Sequence, residues 1–397
     1  MSRPRRCLLL SVVLAMLAAA APGLAQAPGQ PRALTPAPAP AAQQAAPAPT
    51  GVTPTPQPPG SVRAQGEEVA PTPAAPVGGP ADLFLDHREE MRKFVQAIAA
   101  YARGQRRDFA VVPMGGLNLL VKRDPAQTDL VLPAPAYTRA IGGILQEGLF
   151  YGVPEAGKAT EADRRERLLP LIERAKQNRL PVLVVDYATA PKTIDAARAQ
   201  AAKRGLVFFG APARGLALNM LPKYPGRPFA ENGDNMLALR DVRNFVMLRD
   251  SSAFGREDAF AMKMHDSNYD LVIVDVFHRI GEPLSKQAVE TLKYKKLGAR
   301  RLVFAYANIA AAASDAFYWK PGWREGAPTW ISAPTPGNPD QYFVEYWQPE
   351  WQQIVFGNPK SYLYGIIAQG FDGVILDGVD NYLFYEGGLE AVAAAEK

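Results

Sequence analysis

The alternation of short apolar runs with longer amphipathic stretches constrains this chain more than any other feature of its sequence. The apolar runs carry few polar residues, as expected of strands that are buried on both faces of a sheet. Stretches with helical spacing separate several of them, at residues 160–178, 193–204 and 285–297. Buried strands that alternate with helices predict a parallel α/β sheet. The eight runs span residues 109–112, 140–145, 181–185, 206–209, 244–248, 271–274, 301–306 and 373–376.

The number of these runs favours a (β/α)8 barrel, which is built from eight strand–helix units. A doubly wound open sheet is the alternative, but residues 113–117 lack the spacing of the Gly-rich phosphate loop that follows the first strand of dinucleotide-binding sheets. Residues 82–103 have apolar residues near helical spacing, with Asp82 as the expected N-cap. Because the chain stops soon after the eighth run, either residues 389–397 or this N-terminal helix must cover the last gap of the barrel.

The N-terminus has the pattern of a secretory signal peptide. Arg3, Arg5 and Arg6 precede the uncharged apolar run 7–21, and small residues near Ala25 offer a cleavage point. A transmembrane anchor is the alternative, but the run is shorter than the roughly 20 residues that span a bilayer. We therefore expect a secreted or periplasmic protein with no stable membrane anchor after cleavage.

Residues 26–80 are dominated by Pro, Ala, Gln and Thr and contain no aromatic residue. Such a segment cannot bury enough apolar surface to offset the entropy of ordering it, so it is expected to be a disordered, semi-rigid spacer. The sequence thus predicts three parts: a signal peptide (1–25), a Pro/Ala-rich linker (26–80) and a folded domain (81–397).

Composition excludes several classes of site. The only cysteine, Cys7, lies in the signal peptide, so the mature chain can form no disulfide or thiolate site. Of the net charge of +5, three charges belong to the signal arginines, and the near-neutral remainder argues against a nucleic-acid partner. The histidines His87, His265 and His278 are scattered, so we expect no metal, no cofactor and no Ser–His triad. We expect His278 at the surface, with a hydrogen bond at the rim as the alternative.

Carboxylates follow several of the apolar runs directly. In a barrel the active site forms at the C-terminal ends of the strands, so these acids are expected to meet at one rim. A charge at the end of a buried strand costs stability unless it is paired or solvated, which singles out Asp275 and Asp377. Asp270 and Asp372 precede strands instead and are expected to cap or turn the chain. The candidate catalytic residues are Glu147, Asp186, Asp275 and Asp377.

A rim with several carboxylates and aromatic residues suits sugar chemistry. A glycosidase needs one carboxyl group to protonate the leaving oxygen and a second as nucleophile or base. All five tryptophans lie between the seventh and eighth runs, where they either contact sugar or hold a long loop together. The candidate sugar-binding residues are Tyr151, Tyr187, Asn308, Trp319, Asp380 and Asn381.

Several segments resemble a known family. The strongest are residues 370–382 (GFDGVILDGVDNY) and 343–352 (FVEYWQPEWQ), and weaker ones lie at 147–152, 184–187 and 269–275. They are similar to glycoside hydrolase family 114, the endo-α-1,4-polygalactosaminidase-like extracellular TIM-barrel proteins, some of which were mislabelled as related to cysteinyl-tRNA synthetase. The resemblance implies hydrolysis of an α-1,4-linked galactosamine-containing polysaccharide. It also implies that Asp275 is a catalytic carboxylate and that Asp377 and Asp380 line the same cleft.

The chain also departs from that family at the rim. The family has two glutamates after the seventh strand, where this chain has Ala311 and Ala313. Other expected polar groups are replaced by Met114-Gly115, Gly142 and Ala333. Alanine cannot transfer a proton, and losing a general acid typically costs a factor of about 10² to 10⁴ in rate. Three readings therefore stay open: a hydrolase in which Glu147, Asp186 or Asp377 replaces the lost acid, a polysaccharide-binding protein without turnover, or an exported scaffold with no carbohydrate role.

Overall fold

The computed structural model describes residues 85–123 and 131–396. The predicted signal peptide (1–25) and linker (26–80) lie outside these residues. The described part is a mixed α/β fold whose centre consists of parallel strands, as the apolar runs predicted. These strands are β1 (Ala110–Pro113), β2 (Ile144–Glu147), β3 (Val182–Tyr187), β4 (Val207–Ala211), β5 (Phe245–Leu248), β6 (Leu271–Asp275), β7 (Leu302–Asn308) and β8 (Gly373–Asp377).

The parallel strands form two sheets rather than one closed ring. One sheet has the order β1–β8–β7–β6–β5, and the other has the order β2–β3–β4. A single parallel bridge between Met114 and Leu145 links β1 to β2. Between β4 and β5, the rings of Phe209 and Phe245 lie 5.6 Å apart, but within the described residues no ladder pairs these two strands. The predicted parallel α/β arrangement is confirmed, whereas residues 85–123 and 131–396 form no closed barrel.

Helices surround these strands in the described part of the chain, and none there combines the length and apolar character that a membrane crossing requires. They begin and end close to the predicted stretches, although α6 stops at Leu292 because the chain then turns back and Arg301 N donates to Lys293 O at 2.8 Å. The helices are α1 (His87–Gln105), α2 (Pro135–Ala140), α3 (Ala162–Gln177), α4 (Pro191–Lys203), α5 (Glu257–His265), α6 (Lys286–Leu292), α7 (Pro349–Val355), α8 (Tyr362–Gln369) and α9 (Tyr382–Glu396).

Two local predictions were wrong. The N-cap of α1 is Asp86, whose side chain accepts a hydrogen bond from Glu89 N at 2.9 Å, and Asp82 lies outside the described residues. The second strand begins at Ile144, because Ala140 still belongs to α2. At the end of the fold, α1 contacts both α8 and α9.

Short antiparallel strands lie within the loops that follow three of the parallel strands. A three-stranded antiparallel sheet lies between β7 and α7, and two hairpins follow β1 and β6. The sheet consists of Ala311–Ala313, Ile331–Thr335 and Asn338–Val344, and the hairpins pair Val121–Arg123 with Val131–Pro133 and Phe277–Arg279 with Glu282–Pro283.

Ion pairs hold the N-terminal ends of the parallel strands. Asp270, just before β6, accepts a hydrogen bond from Lys295 Nζ at 2.6 Å, and both side chains are fully buried. Asp372, just before β8, pairs with Arg106 at 2.9 Å and with Arg300 at 2.7 Å. These two aspartates therefore anchor the chain, in line with the structural role expected for acids that precede strands.

Lys295→Met should lower the free energy of unfolding by about 3–5 kcal/mol, because it leaves the buried charge of Asp270 without its partner. Lys296→Met is the matched control. Lys296 pairs with Asp266 at the surface, where both side chains are 59% exposed, and removal of such a pair costs only about 0–1 kcal/mol. Urea denaturation of both variants measures the difference, and equal losses would contradict the anchoring role of the buried pair.

Candidate active site

The C-terminal ends of the parallel strands bring charged side chains to one rim. Glu147 is the last residue of β2, and Asp275 and Asp377 are the last residues of β6 and β8. Arg249 follows β5 directly. A cavity of about 210 Å³ lies among the rim residues. Its polar lining includes Gln146, Glu147, Arg164, Asp377, Asp380 and Asn381.

Asp377 is held by two donors from β7. The hydroxyl of Tyr306 and the side-chain amide of Asn308 both donate to Asp377 Oδ2, the amide at 3.1 Å. The carbonyl oxygen of the Asn308 side chain accepts from the backbone N–H groups of Ala310 and Ala311 at 3.0 and 2.9 Å. Asn308, predicted to contact sugar, thus connects the loop after β7 to the Asp377 carboxylate.

Glu147 lines the same cavity as Asp377. Burial, together with the negative charge of Asp377, raises the pKa of Glu147 to about 7, while nearby arginines act against the shift. A carboxyl group with such a pKa keeps its proton in a substantial fraction of molecules at neutral pH, so it can act as a general acid. The structure therefore brings together two of the predicted catalytic residues, Glu147 and Asp377, in one cavity.

Asp275 lies beside Arg249 instead. Asp275 Oδ1 accepts a hydrogen bond from Phe277 N at 3.1 Å, and Asp275 Oδ2 lies 3.8 Å from Arg249 Nε. Burial raises the pKa of Asp275, although the charge of Arg249 acts against this. The guanidinium of Arg249 stacks over Tyr306, with Cζ 3.2 Å from the ring centroid. Sequence reasoning missed Arg249, although its position directly after a buried strand was the same signal that identified the acids.

The side chains of Asp186 and Tyr187 are buried and contact other parts of the protein. Asp186 is fully buried, and its carboxylate accepts from Phe150 N at 3.1 Å. Burial raises its pKa to about 7, while this hydrogen bond from the backbone acts against the shift. The contact positions the turn that carries Tyr151, which is partly buried. The ring of Tyr187 is buried beneath Arg214, whose Cζ lies 4.5 Å from the ring centroid.

Asp380 and Asn381 line the cavity and also fix its wall. Asp380 Oδ2 accepts from Gly116 N at 2.9 Å, and Asn381 Nδ2 donates to Ala310 O at 2.9 Å. Gly115 has a φ of +77°, and a Cβ there would collide with the Asp380 carboxylate. The glycine that replaces a polar residue of the resembled family thus makes room for Asp380.

The tryptophans mostly hold the loop between β7 and β8 together. Trp319 packs against Trp323 and Tyr342, with ring centroids 5.5 and 5.6 Å away. The chain of contacts continues to the buried rings of Trp330 and Trp351. Trp319 therefore belongs to a loop-stabilising cluster.

A different aromatic pair lies close to Asp275. Phe277 is two residues after Asp275, and its ring centroid is 5.8 Å from that of Phe317. Phe317 is 49% exposed, which leaves a flat apolar face open to solvent. Sequence reasoning missed this pair because it weighted tryptophan over phenylalanine.

The prediction of a surface His278 was wrong. His278 is buried; its Nδ1 is 2.9 Å from Ser251 Oγ, and its Nε2 is 2.9 Å from Gly255 O. Because a carbonyl can only accept, Nε2 carries a proton, and in the neutral ring Nδ1 accepts from Ser251. This serine is itself buried, so the pair holds two loops together. Among the described residues, no group of three or more His, Cys, Asp and Glu side chains is placed to hold a metal ion.

The alanines after β7 lie inside the short antiparallel sheet. Ala311 pairs with Phe343 and Ala313 pairs with Gln341. Ala311 is also buried. The rim therefore has no carboxylate at either of the positions where the resemblance implies one.

Comparison with known proteins confirms the resemblance for the C-terminal part of the chain. Residues 252–396 match the model of glycoside-hydrolase family GH114. This segment contains β6, β7 and β8 and therefore includes Asp275 and Asp377.

Three relatives match parts of the chain, and each is described only as an uncharacterized protein. The one from Thermotoga maritima is 32% identical over 158 residues, which are 39% of this chain and 47% of the relative. The one from Deinococcus radiodurans is 38% identical over 119 residues, 30% of this chain and 36% of the relative. The one from Methanocaldococcus jannaschii is 35% identical over 134 residues, 34% and 37% respectively. The matches thus span less than half of each relative's length.

Glu147→Gln should change how stability depends on pH. The pKa of Glu147 is raised from 4.5 to about 7 in the folded protein, so the folded state keeps a proton that the unfolded state releases. The wild type therefore loses stability as pH rises from about 4.5 through 7, and a neutral glutamine removes this contribution. The free energy of unfolding of the variant minus that of the wild type, measured by urea denaturation, should therefore be larger at pH 8 than at pH 5. Glu155→Gln, a change at an exposed residue, should change the free energy of unfolding by the same amount at pH 5 and at pH 8. The same behaviour in Glu147→Gln would contradict the raised pKa of Glu147.

Proposed function

We propose that this protein, whose residues 252–396 match the model of glycoside-hydrolase family GH114, is an exported glycoside hydrolase that uses two carboxylates at its strand ends. The observation that carries the proposal is the pairing of Glu147 and Asp377 in one cavity. Their environments differ: burial raises the pKa of Glu147 to about 7, whereas Asp377 accepts hydrogen bonds from Tyr306 and Asn308. Two carboxyl groups that differ in this way divide naturally into an acid and a base.

In the proposed mechanism Glu147 protonates the glycosidic oxygen as the bond to the leaving sugar breaks. Asp377 supplies the negative charge that stabilises the oxocarbenium-like transition state, as nucleophile or as base for a water molecule. The donors on Tyr306 and Asn308 orient its carboxylate. Asp275, which the family resemblance implies is catalytic, holds Arg249 beside these two groups and faces the same rim.

The proposed substrate is an α-1,4-linked polysaccharide that contains galactosamine, as the resemblance implies. The rim supports a sugar ligand because it combines carboxylates with the exposed face of Phe317, a surface on which a sugar ring can lie. The proposed partner is thus a polymer of amino sugars.

A polysaccharide-binding protein without turnover is the second candidate. The observation that favours it is the pair Ala311 and Ala313, where the family has glutamates. If Glu147 cannot replace the lost acid, the same rim would hold sugar without cleaving it.

We also propose that the two parallel sheets belong to a (β/α)8 framework. The strands follow one another in chain order, with a bridge between β1 and β2 and contacting rings between β4 and β5. Export rests on the predicted signal peptide (1–25), with the linker (26–80) as a spacer to the folded domain. Secretion or periplasmic residence follows from this proposal.

Glu147→Gln and Asp377→Asn should each lower reducing-end release from α-1,4-linked galactosamine polymers by a factor of about 10² to 10⁴, because each removes one of the two acid–base groups. The assay compares purified wild type with both variants, with Glu155→Gln as the control that keeps full activity. Pull-down with the same polymers should show that both variants retain binding.

Release that is unchanged in Glu147→Gln would contradict the acid role of Glu147. Polymer retention without release by the wild type would favour the second candidate. If the wild type neither releases reducing ends nor retains the polymer, both candidate functions are contradicted.

A further inference from the structure

The cavity that holds Glu147 and Asp377 is partly walled by the second half of α9. Val392 and Ala395 line it together with residues at the strand ends. Its volume of about 210 Å³ is below the roughly 300–1,000 Å³ of typical ligand pockets. A glycosidic bond joins two sugar units, and the two carboxyl groups of a glycosidase flank that bond. In this arrangement the cavity is therefore too small to admit a stretch of polymer.

The two halves of α9 are attached to the rest of the protein differently. In the first half, Tyr382 and Phe384 are buried, and the ring of Phe384 stacks on that of Phe343 with the centroids 4.3 Å apart. Of residues 389–395, by contrast, none is buried. Segments with few buried apolar contacts open at a much lower free energy than the core does. The second half of α9 can therefore leave its place while the first half stays packed.

A kink separates these two halves. Gly387 and Gly388 have non-helical backbone angles, and Gly388 has a φ of +64° and a ψ of −161°. This backbone conformation is essentially restricted to glycine. A Cβ at position 388 would meet no atom within 4 Å, so a substitution there acts on the backbone conformation alone. The kink is thus a point at which the direction of residues 389–395 is set.

A hydrogen bond joins the second half of α9 to the lining of the cavity. The guanidinium of Arg164, in the first turn of α3, donates to Ala395 O. Arg164 also lines the cavity. The last carbonyl groups of a helix have no partner within the helix, and a basic side chain at this end stabilises them. This contact favours the position in which residues 389–395 cover the cavity.

We propose that residues 389–395 form a lid, which covers the cavity of Glu147 and Asp377 when no substrate is bound and moves away about Gly387 and Gly388 to admit a polymer. This inference rests on the proposed carbohydrate function, because it assigns the lid to that same site. In the covered arrangement the two acids are already assembled, but a sugar chain reaches them only after the lid opens.

A thiol placed in the cavity reports how often the lid opens, whether or not sugar is cleaved. Met114 lines the cavity, and Cys7 is the only cysteine of the chain. Met114→Cys in a Cys7→Ser background therefore carries a single thiol. Its reaction with a bulky maleimide is followed over time, because the rate tracks the population of the open form when opening and closing are fast.

Two further substitutions in this reporter chain open the lid by different means. Gly388→Ala disfavours the kink and should speed labelling by about tenfold or more. Val392→Asp adds a negative charge to a cavity whose lining includes Glu147, Asp377 and Asp380. Like charges at close range repel, so this variant should also be labelled faster.

Each variant has a matched control. Gly104→Ala changes a glycine of α1 at which a Cβ meets no atom within 4 Å. Ala393→Asp adds the same charge at the exposed position next to Val392. Both controls should be labelled at the rate of the reporter chain. Circular dichroism checks that all four proteins fold, and either variant with its own control is sufficient for the test.

Reducing-end release from the galactosamine polymer then tests whether the lid limits access. Gly388→Ala, made in the wild-type chain with Met114 intact, should lower KM by about the factor found in labelling and leave kcat unchanged. The reason is that apparent affinity scales with the fraction of molecules in the binding-competent form. A merely structural effect of the substitution would lower kcat instead.

Labelling at the control rate in both folded variants would overturn the lid, whatever the release assay shows. Faster labelling with an unchanged KM would overturn its role as a barrier to the polymer and leave the proposed function standing. A wild type that neither releases reducing ends nor retains the polymer would contradict the proposed function, whereas the labelling rates alone decide whether residues 389–395 cover the cavity.

Discussion

The stacking of Arg249 on Tyr306 is the contact on which the arrangement of the candidate site depends. Tyr306 on β7 pairs in register with Asp275 on β6, and Asn308 pairs in register with Asp377 on β8. Parallel pairing therefore sets the spacing of these side chains. One cation placed among carboxylates reduces their mutual repulsion, which would otherwise destabilise a partly buried rim.

The two ends of the parallel strands have different chemistry. At the N-terminal ends, the carboxylates of Asp270 and Asp372 are buried and paired with basic side chains. At the C-terminal ends, Asp275, Asp377 and Glu147 stay partly exposed. The buried ion pairs and the candidate catalytic acids thus lie at opposite ends of the strands, as in barrels of parallel strands.

The sequence predicted the parallel strands well because their apolar runs are continuous and need no knowledge of neighbours. It also identified the acids that end those strands, since position along the run is a local property. It failed where the outcome depends on distant residues. His278 is buried because it contacts Ser251 and Gly255, which come from an earlier loop of the chain. No local pattern encodes either contact.

The sequence alone thus determined the strand order along the chain, the positions of the aspartates before and after the strands, and the similarity of residues 252–396 to glycoside-hydrolase family GH114. The tertiary structure decided which acids lie together. Glu147 and Asp377 are 230 residues apart in the chain but line one cavity. Asp186 is instead buried, and its carboxylate accepts a hydrogen bond from the backbone of a turn. The physical reason is that burial and charge depend on neighbours in space, and these raise the pKa of Glu147 to about 7 only in the folded protein.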